Sequence, residues 1–351
     1  MMEKIRAFLS KEAVLVVAAL AAVTSCALVP FDEGYASYVD WRTLALLFCL
    51  MAVVTGLRFM GVMRLLGSWA VSRASSVRAL AFALVALTFV SSMAVTNDVA
   101  LITFVPLALV VLAEAGESRF TASVVVLMTM SANLGSMLLP VGNPQNLFLY
   151  RVSGMDFFQF VLIMVPVVAL SAVMLVAAVL IVFRGNAEGL SYRASCKALP
   201  KPTGRQGFMF VSYLLLFVLS VMAVVGFIDA FTVAILVAFV LLFLDRRSLA
   251  KVDYGLLLTF VALFVFVGNM ARVPAVHEAL SALVGIAPFC AAVGSSQVIS
   301  NVPAAVLLSG FTNDWTALIV GTNLGGLGTL IASLASLISF RFYAREYPDQ
   351  K

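Results

Sequence analysis

Apolar runs recur along almost the whole chain, and they limit what it can become before any single residue is considered. They lie at about 13 to 30, 41 to 57, 79 to 95, 98 to 113, 119 to 150, 157 to 183, 208 to 228, 230 to 244, 255 to 271, 281 to 310 and 315 to 340. A helix that crosses a bilayer needs roughly 20 mainly apolar residues, and several of these runs supply them. Only 11% of the 351 residues are charged and the mean hydropathy is +1.11, whereas an ordinary soluble domain is about a quarter charged. The sequence therefore predicts an all-α polytopic membrane protein and excludes a water-soluble enzyme. One histidine and four cysteines, without Cys-x-x-Cys or His-x-x-x-His spacing, offer no zinc site and no disulfide framework.

Four of the apolar segments are interrupted by residues that a lipid-facing helix avoids. The segment from 79 to 113 is split by Thr96-Asn97-Asp98, and that from 281 to 310 by the polar stretch Gly294 to Asn301. Each reads as a re-entrant helical hairpin. The segment from 119 to 150 is broken by Gly135, Pro140, Gly142, Asn143 and Pro144, and that from 315 to 340 by Gly321, Asn323, Gly325, Gly326 and Gly328. Each reads as a discontinuous helix. Unpaired backbone is too costly in hydrocarbon to face lipid, so all four breaks are expected to line a buried or watery cavity. There, half-helix amino termini favour an anion, and freed carbonyls with Asn and Ser oxygens favour a small cation.

The breaks come in pairs. Ser91-Ser92-Met93-Ala94-Val95-Thr96-Asn97 aligns without a gap on Ser295-Ser296-Gln297-Val298-Ile299-Ser300-Asn301, and Asn133-Leu134-Gly135 recurs as Asn323-Leu324-Gly325 in the same order. Nineteen of the 22 basic residues fall on one side if both termini are cytoplasmic, leaving only Arg42, Arg151 and Arg272 outside with acids such as Asp32, Asp40, Asp229 and Glu278. This distribution follows the positive-inside rule, and it assigns the net charge of +5 to cytoplasmic loops, with no nucleic-acid partner. The two hairpins then enter from opposite sides, giving an inverted repeat. The expected divisions are 1-156 (first repeat), 157-229 (connecting helices and a basic cytoplasmic loop) and 230-351 (second repeat). The stretch from Arg58 to Arg73, with Phe59, Met60, Leu65, Leu66 and Trp69, reads as an interfacial helix, with a plain basic loop as the alternative. Val23-Thr24-Ser25-Cys26 is read as part of an uncleaved first helix.

The chain resembles the ion transporter superfamily that includes the divalent anion:sodium symporters, the citrate permeases and the arsenite-permease and sodium/proton-antiporter branch. The likeness rests on Thr96-Asn97-Asp98-Val99-Ala100 with Pro106, on Ser131 to Gly135 through Gly142-Asn143-Pro144-Gln145-Asn146, on Ser300-Asn301-Val302-Pro303-Ala304, and on Gly321-Thr322-Asn323-Leu324-Gly325. The resemblance implies an elevator-like transporter of the cytoplasmic membrane, commonly a homodimer. Its dicarboxylate-transporting members carry Ser-Asn-Thr at each hairpin tip. Here Asp98 and Val302 stand in the third positions.

The expectation is a secondary active transporter for a small anion, a di- or tricarboxylate or similar oxyanion, coupled to sodium. The alternative is a proton-linked cation antiporter or arsenite-type exporter that uses Asp98. Substrate contacts are expected from Thr96, Asn97, Asn143, Ser300, Asn301 and Thr322, and sodium contacts from Asn97, Asp98, Asn133, Gly135, Asn301, Asn323 and Gly325. Asp98 has two compatible readings, a functional acid at membrane depth and an N-cap for a helix beginning at Val99. His277 is expected in an external loop.

Overall fold

The computed structural model describes residues 12–185 and 204–348, and within them it is built of helices and connecting turns. The basic loop expected between the halves, with Arg193, Lys197 and Lys201, lies outside the described residues, as do Lys4, Arg6, Lys11 and Lys351. In chain order the helices of nine residues or more are α1 (Ala13–Cys26), α2 (Trp41–Phe59), α3 (Val62–Ser72), α4 (Val77–Val95), α5 (Asn97–Glu114), α6 (Thr121–Ser136), α7 (Pro144–Ser153) and α8 (Phe157–Val182). They continue as α9 (Gly204–Val225), α10 (Ala230–Leu244), α11 (Tyr254–Ala271), α12 (Pro274–Ile286), α13 (Pro288–Ile299), α14 (Asn301–Ser309), α15 (Trp315–Gly325) and α16 (Leu334–Glu346). Six of them, α2, α4, α5, α8, α9 and α11, are long and apolar enough to cross a bilayer.

Polar residues at the ends of the apolar runs start these helices. Asp40 caps α2 through Thr43 N (3.1 Å), Asp229 caps α10 through Thr232 N (3.0 Å), Asp253 caps α11 through Leu256 N (2.9 Å), and Ser76 caps α4 through Ala79 N (3.2 Å). Each takes up one of the amide donors that a helix leaves unpaired at its start. Proline stands in the first turn of α7, α12 and α13, where its missing N–H costs nothing.

Two packing groups result. The hairpin and broken-helix elements α4 to α7 and α13 to α16 pack on one another, and α1, α2, α9, α10 and α11 form a second group beside them. Long apolar side chains point outward from the second group and from α8: Phe158 is 72% exposed, Ile181 72%, Ile235 71% and Phe243 70%. Such surface is untenable in water and expected against lipid. The second group is fastened at both ends. Asn269 Nδ2 donates to Ser25 Oγ (2.9 Å), tying α11 to α1, and Arg272 clasps Asp32 (3.0 and 2.6 Å) and Tyr38 OH (2.9 Å) just beyond it. At the opposite end Asp245 Oδ2 accepts from Tyr213 OH (2.8 Å) and Ser248 Oγ (2.7 Å), and the Tyr213 ring fills the space left by the absent side chain of Gly56.

Two boundaries differ from the sequence reading. The segment carrying His277, expected as an external loop, is helix α12, started by Pro274, although His277 itself is exposed and lies 5.6 Å from the Phe311 ring. The second hairpin accordingly begins at Pro288 and not near 281. The stretch from Val62 to Ser72 is helical, as the interfacial reading required.

Candidate functional site

Both hairpins turn on a single residue. α4 ends at Val95 and α5 begins at Asn97, so Thr96 makes the whole connection, at φ 67° and ψ 147°. α13 ends at Ile299 and α14 begins at Asn301, with Ser300 at φ 75° and ψ 154°. These are the non-glycine residues with positive φ among the described residues, and such backbone persists only where the surroundings over-determine it, at about 1–3 kcal/mol each. The following asparagine closes each turn in the same way. Asn97 Oδ1 accepts from Asp98 N, and Asn301 Oδ1 accepts from Val302 N, both at 2.9 Å.

The breaks in the two discontinuous helices meet these tips. In the first, α6 stops at Ser136 and α7 starts at Pro144; in the second, α15 stops at Gly325 and α16 starts at Leu334. Asn97 Nδ2 donates to Asn133 Oδ1 (2.9 Å), joining the first tip to the first break. Asn301 N and Ser300 Oγ donate to Ala332 O (2.9 and 3.4 Å), joining the second tip to the second break. Glycine makes the approach possible. A Cβ on Gly135 would lie 2.5 Å from Ser92 Oγ, and one on Gly325 would lie 2.6 Å from Ser296 Cβ, so the paired Gly and Ser positions touch in both halves.

An amide network then crosses between the halves. Asn133 Oδ1 accepts a second bond from Ser333 Oγ (3.1 Å), and its Nδ2 reaches Gly326 O (3.5 Å). Asn143 Nδ2 donates to Asn323 Oδ1 (3.1 Å) and to Ser136 Oγ (3.2 Å), while Asn323 Nδ2 donates to Asn146 Oδ1 (2.5 Å). Asn143 also caps α7 through Asn146 N (2.9 Å). All of these asparagines are buried, with Asn146 at 0%. Among the described residues, the buried polar side chains are amides and hydroxyls, without lysine or arginine. Four buried side-chain atoms have no hydrogen-bond partner among the described residues, Asp98 Oδ1, Arg151 Nε, Asn269 Oδ1 and Ser339 Oγ, and of these Asp98 is the one that follows a hairpin tip. Helix α5 begins at Asn97, so Asp98 lies in its first turn and is not the N-cap.

Residues 1–313 match the model of the citrate transporter family. The chain belongs to that family. Among its relatives, inner membrane protein YbiR of Escherichia coli is 31% identical over 319 residues, covering 89% of this chain and 83% of that one. An uncharacterized transporter of Methanocaldococcus jannaschii is 30% identical over 310 residues, covering 86% and 81%. A shorter stretch of 136 residues is 35% identical to the silicon efflux transporter LSI3 of Oryza sativa, covering 38% of this chain and 27% of that one. Family membership and these names point to a multi-pass membrane transporter of a small solute and away from an enzyme.

In this citrate transporter family member the expected residues divide into two sets. Asn97, Asn133, Asn143, Ser300, Asn301 and Asn323 come together where tips and breaks meet. Thr96 forms the first turn and Asp98 follows it in α5, but no hydrogen bond joins either side chain to the second tip or to a break among the described residues, and the charged neighbour of Asp98 is Asp253 at the start of α11. Thr322, fully buried in α15, donates its hydroxyl to Leu318 O (2.7 Å) and has no hydrogen bond to a tip or a break among the described residues, its oxygen remaining able to accept. Gly135 and Gly325 mark close approaches, and Gly325 O accepts from Gln297 Nε2. Asn146, Ser333 and Gln297 belong to the network although sequence reasoning left them outside the site. Asn146 lies inside the quoted Gly142 to Asn146 motif, and Gln297 is the position where the aligned heptads differ most, facing Met93.

Proposed function

We propose that the chain is a secondary active transporter that carries a small oxygen-rich anion, a di- or tricarboxylate or similar oxyanion, across the cytoplasmic membrane in symport with sodium. The observation that carries this reading is Asp98: a buried carboxylate oxygen without a donor, in the first turn of α5 directly after the first hairpin tip. A buried ionisable group at membrane depth is costly unless a partner joins it, and a coupling cation is a partner that would offset its charge. Thr96, Asn97, Asn133 and Asn143 of the first half, with Ser300, Asn301 and Asn323 of the second, supply side-chain hydroxyls and amides for solute and ion. Sodium bound at Asp98 offsets its charge and makes an adjacent anion tolerable without lysine or arginine.

The proposed framework is an inverted repeat, 1-156 against 230-351, joined through 157-229, with both termini cytoplasmic and re-entrant hairpins. The group of α4 to α7 with α13 to α16 moves as the carrier against α1, α2 and α9 to α11, and a homodimer holds that second group in place. Two parallel observations support the repeat: the matched positive-φ tips, and the matched contacts of Gly135 with Ser92 and Gly325 with Ser296.

A second reading has its own support. The likeness to a silicon efflux transporter, with a site made of amides and hydroxyls, favours proton-linked export of a neutral hydroxylated acid, such as silicic or arsenous acid, with Asp98 carrying the proton. Thermal stability of the detergent-purified protein separates the two, because a ligand that binds the folded state raises the melting temperature. The symporter predicts a sodium-specific rise that grows with one of citrate, succinate, sulfate or phosphate. If sodium is inert at every pH while acidification, arsenite or silicic acid stabilises the protein, the symporter reading fails and the second replaces it.

A further inference from the structure

The two hairpins match in backbone but not in how they are held. Gln297, one turn before the second tip, spans the second break with its carboxamide: Nε2 donates to Gly325 O (2.5 Å) and Oε1 accepts from Thr329 N (2.7 Å). Thr329 Oγ1 returns a bond to Gln297 O (3.0 Å) and also accepts from Ala332 N (3.2 Å). The clasp has a steric counterpart in Gly328, where any Cβ would overlap the Gln297 carboxamide. Beyond it, Ser300 N donates to Ser296 O (3.1 Å), Asn301 N to Ala332 O (2.9 Å) and Val302 N to Asn301 Oδ1 (2.9 Å), and Pro303 has no N–H to satisfy. The amino terminus of α14 therefore has its donors already taken.

The first tip has no such clasp. Met93 occupies the position of Gln297 and has no amide to offer. The side-chain bond from Asn97 to Asn133 is the hydrogen bond that fastens this tip to its break, and the N–H groups of Thr96, Asn97 and Val99 have no acceptor among the described residues. Burial does not account for the contrast, since Asn97 and Asn301 are each 5% exposed.

We infer that Gln297 is a positioning residue that welds the second hairpin to the second break, making it the fixed wall of the site, and that the first hairpin is the compliant lip at which solute and coupling ion engage. The proposal rests on the transporter reading for its purpose. It assigns ligand-responsive donors to the amides of Thr96, Asn97 and Val99 and leaves none at Asn301 and Val302. Each unpaired donor beside Asp98 is a group that a bound anion can satisfy, whereas the second tip could accept one only by giving up bonds to Ala332 and Asn301.

Hydrogen exchange resolved to individual amides, on the full-length protein in lipid nanodiscs without added solute, tests this. In the unmodified chain the amides of Asn301 and Val302 are expected to exchange about tenfold more slowly than those of Asn97 and Val99. Gln297→Met, which installs the residue of the first half, is expected to bring the second tip to the rate of the first while the first stays unchanged. Thr329→Val, which removes only the hydroxyl bonds, gives a smaller acceleration confined to the same tip. Equal rates at the two tips of the unmodified chain overturn the inference, as does a Gln297→Met protein in which the second tip is unchanged or both tips accelerate together. Should Gln297→Met fail to purify, the unmodified chain and Thr329→Val decide. Exchange is read without solute, so failure here leaves the transporter reading standing.

Discussion

Asp98 and Asn323 show how differently two buried polar side chains serve the same site. Asn323 is satisfied, donating to Asn146 and accepting from Asn143, so Asn323→Ala takes a partner from two buried asparagines of the first half and cuts the bonds that cross between the halves there. An unsatisfied buried group costs about 1–3 kcal/mol, with membrane proteins toward the low end, and the melting temperature of the detergent-purified variant is expected to fall by several degrees. An unchanged melting temperature would show that the cross-half network does not hold in solution. Asp98 has a buried oxygen with no partner, so Asp98→Asn removes a desolvated charge and adds a donor. Its expected signature is the opposite one: an equal or higher melting temperature without ligand, together with loss of the sodium-dependent rise. A variant that is both less stable and still sodium-responsive would assign Asp98 a structural role. Strain at the tips separates in the same way. Glycine adopts positive φ freely, so Ser300→Gly is expected to preserve the fold while loosening the second turn, and a proline there, with φ held near −65°, is expected to abolish folded protein on size-exclusion chromatography.

At the scale of elements, the close approaches of α6 to α4 and of α15 to α13 make a paired prediction. Gly135→Ala sets a methyl against Phe89 O and Ser92 Oγ, and Gly325→Ala sets one against Ser296. Overpacking typically costs about 1–3 kcal/mol, so both variants are expected to lose stability by similar amounts in thermal unfolding. A large effect at one and none at the other would mean that the halves do not share this contact. The positions of these elements were legible in the sequence because Asn, Gly and Pro clustered inside an apolar run free backbone groups that must find partners away from lipid, and Asn133-Leu134-Gly135 with Asn323-Leu324-Gly325 named both breaks. Helix α12 was not legible, since His277 and Glu278 within it, and Arg272 just before it, dilute the apolar pattern into that of a loop. Which asparagine bonds to which was hidden as well. The partners of Asn323 lie 180 and 177 residues away, and such pairings follow from the packing of the halves, not from any local pattern. Gln297 was passed over because a single glutamine before a serine-rich turn carries no signal until its distance to Gly325 and Thr329 is known.

At the scale of the molecule, the division into a moving and a stationary group can be tested where the two touch. Between them lies a crevice of about 200 Å³ lined by Phe148 and Val152 of α7, Phe264 and Val267 of α11, and Val306 and Ser309 at the end of the second hairpin. Just past that hairpin, a Cβ on Gly310 would lie 2.7 Å from Val267 Cγ1. Cysteines at these two positions fall within reach of a disulfide, which needs Cβ atoms about 3.5–4.5 Å apart. In a background with Cys26, Cys49, Cys196 and Cys290 replaced by serine, Val267→Cys with Gly310→Cys is therefore expected to crosslink on mild oxidation. If the second hairpin, welded to its break by Gln297, travels with the carrier group, the bond pins that group to α11. Solute uptake into proteoliposomes is then expected to fall to background when oxidised and to return on reduction, with each single-cysteine protein active throughout. Transport that persists through the crosslink would mean that α11 and the second hairpin keep their contact during the cycle. Access to the site would then have to alternate by bending of the first hairpin alone, because that is the tip whose backbone donors are not already committed to the protein.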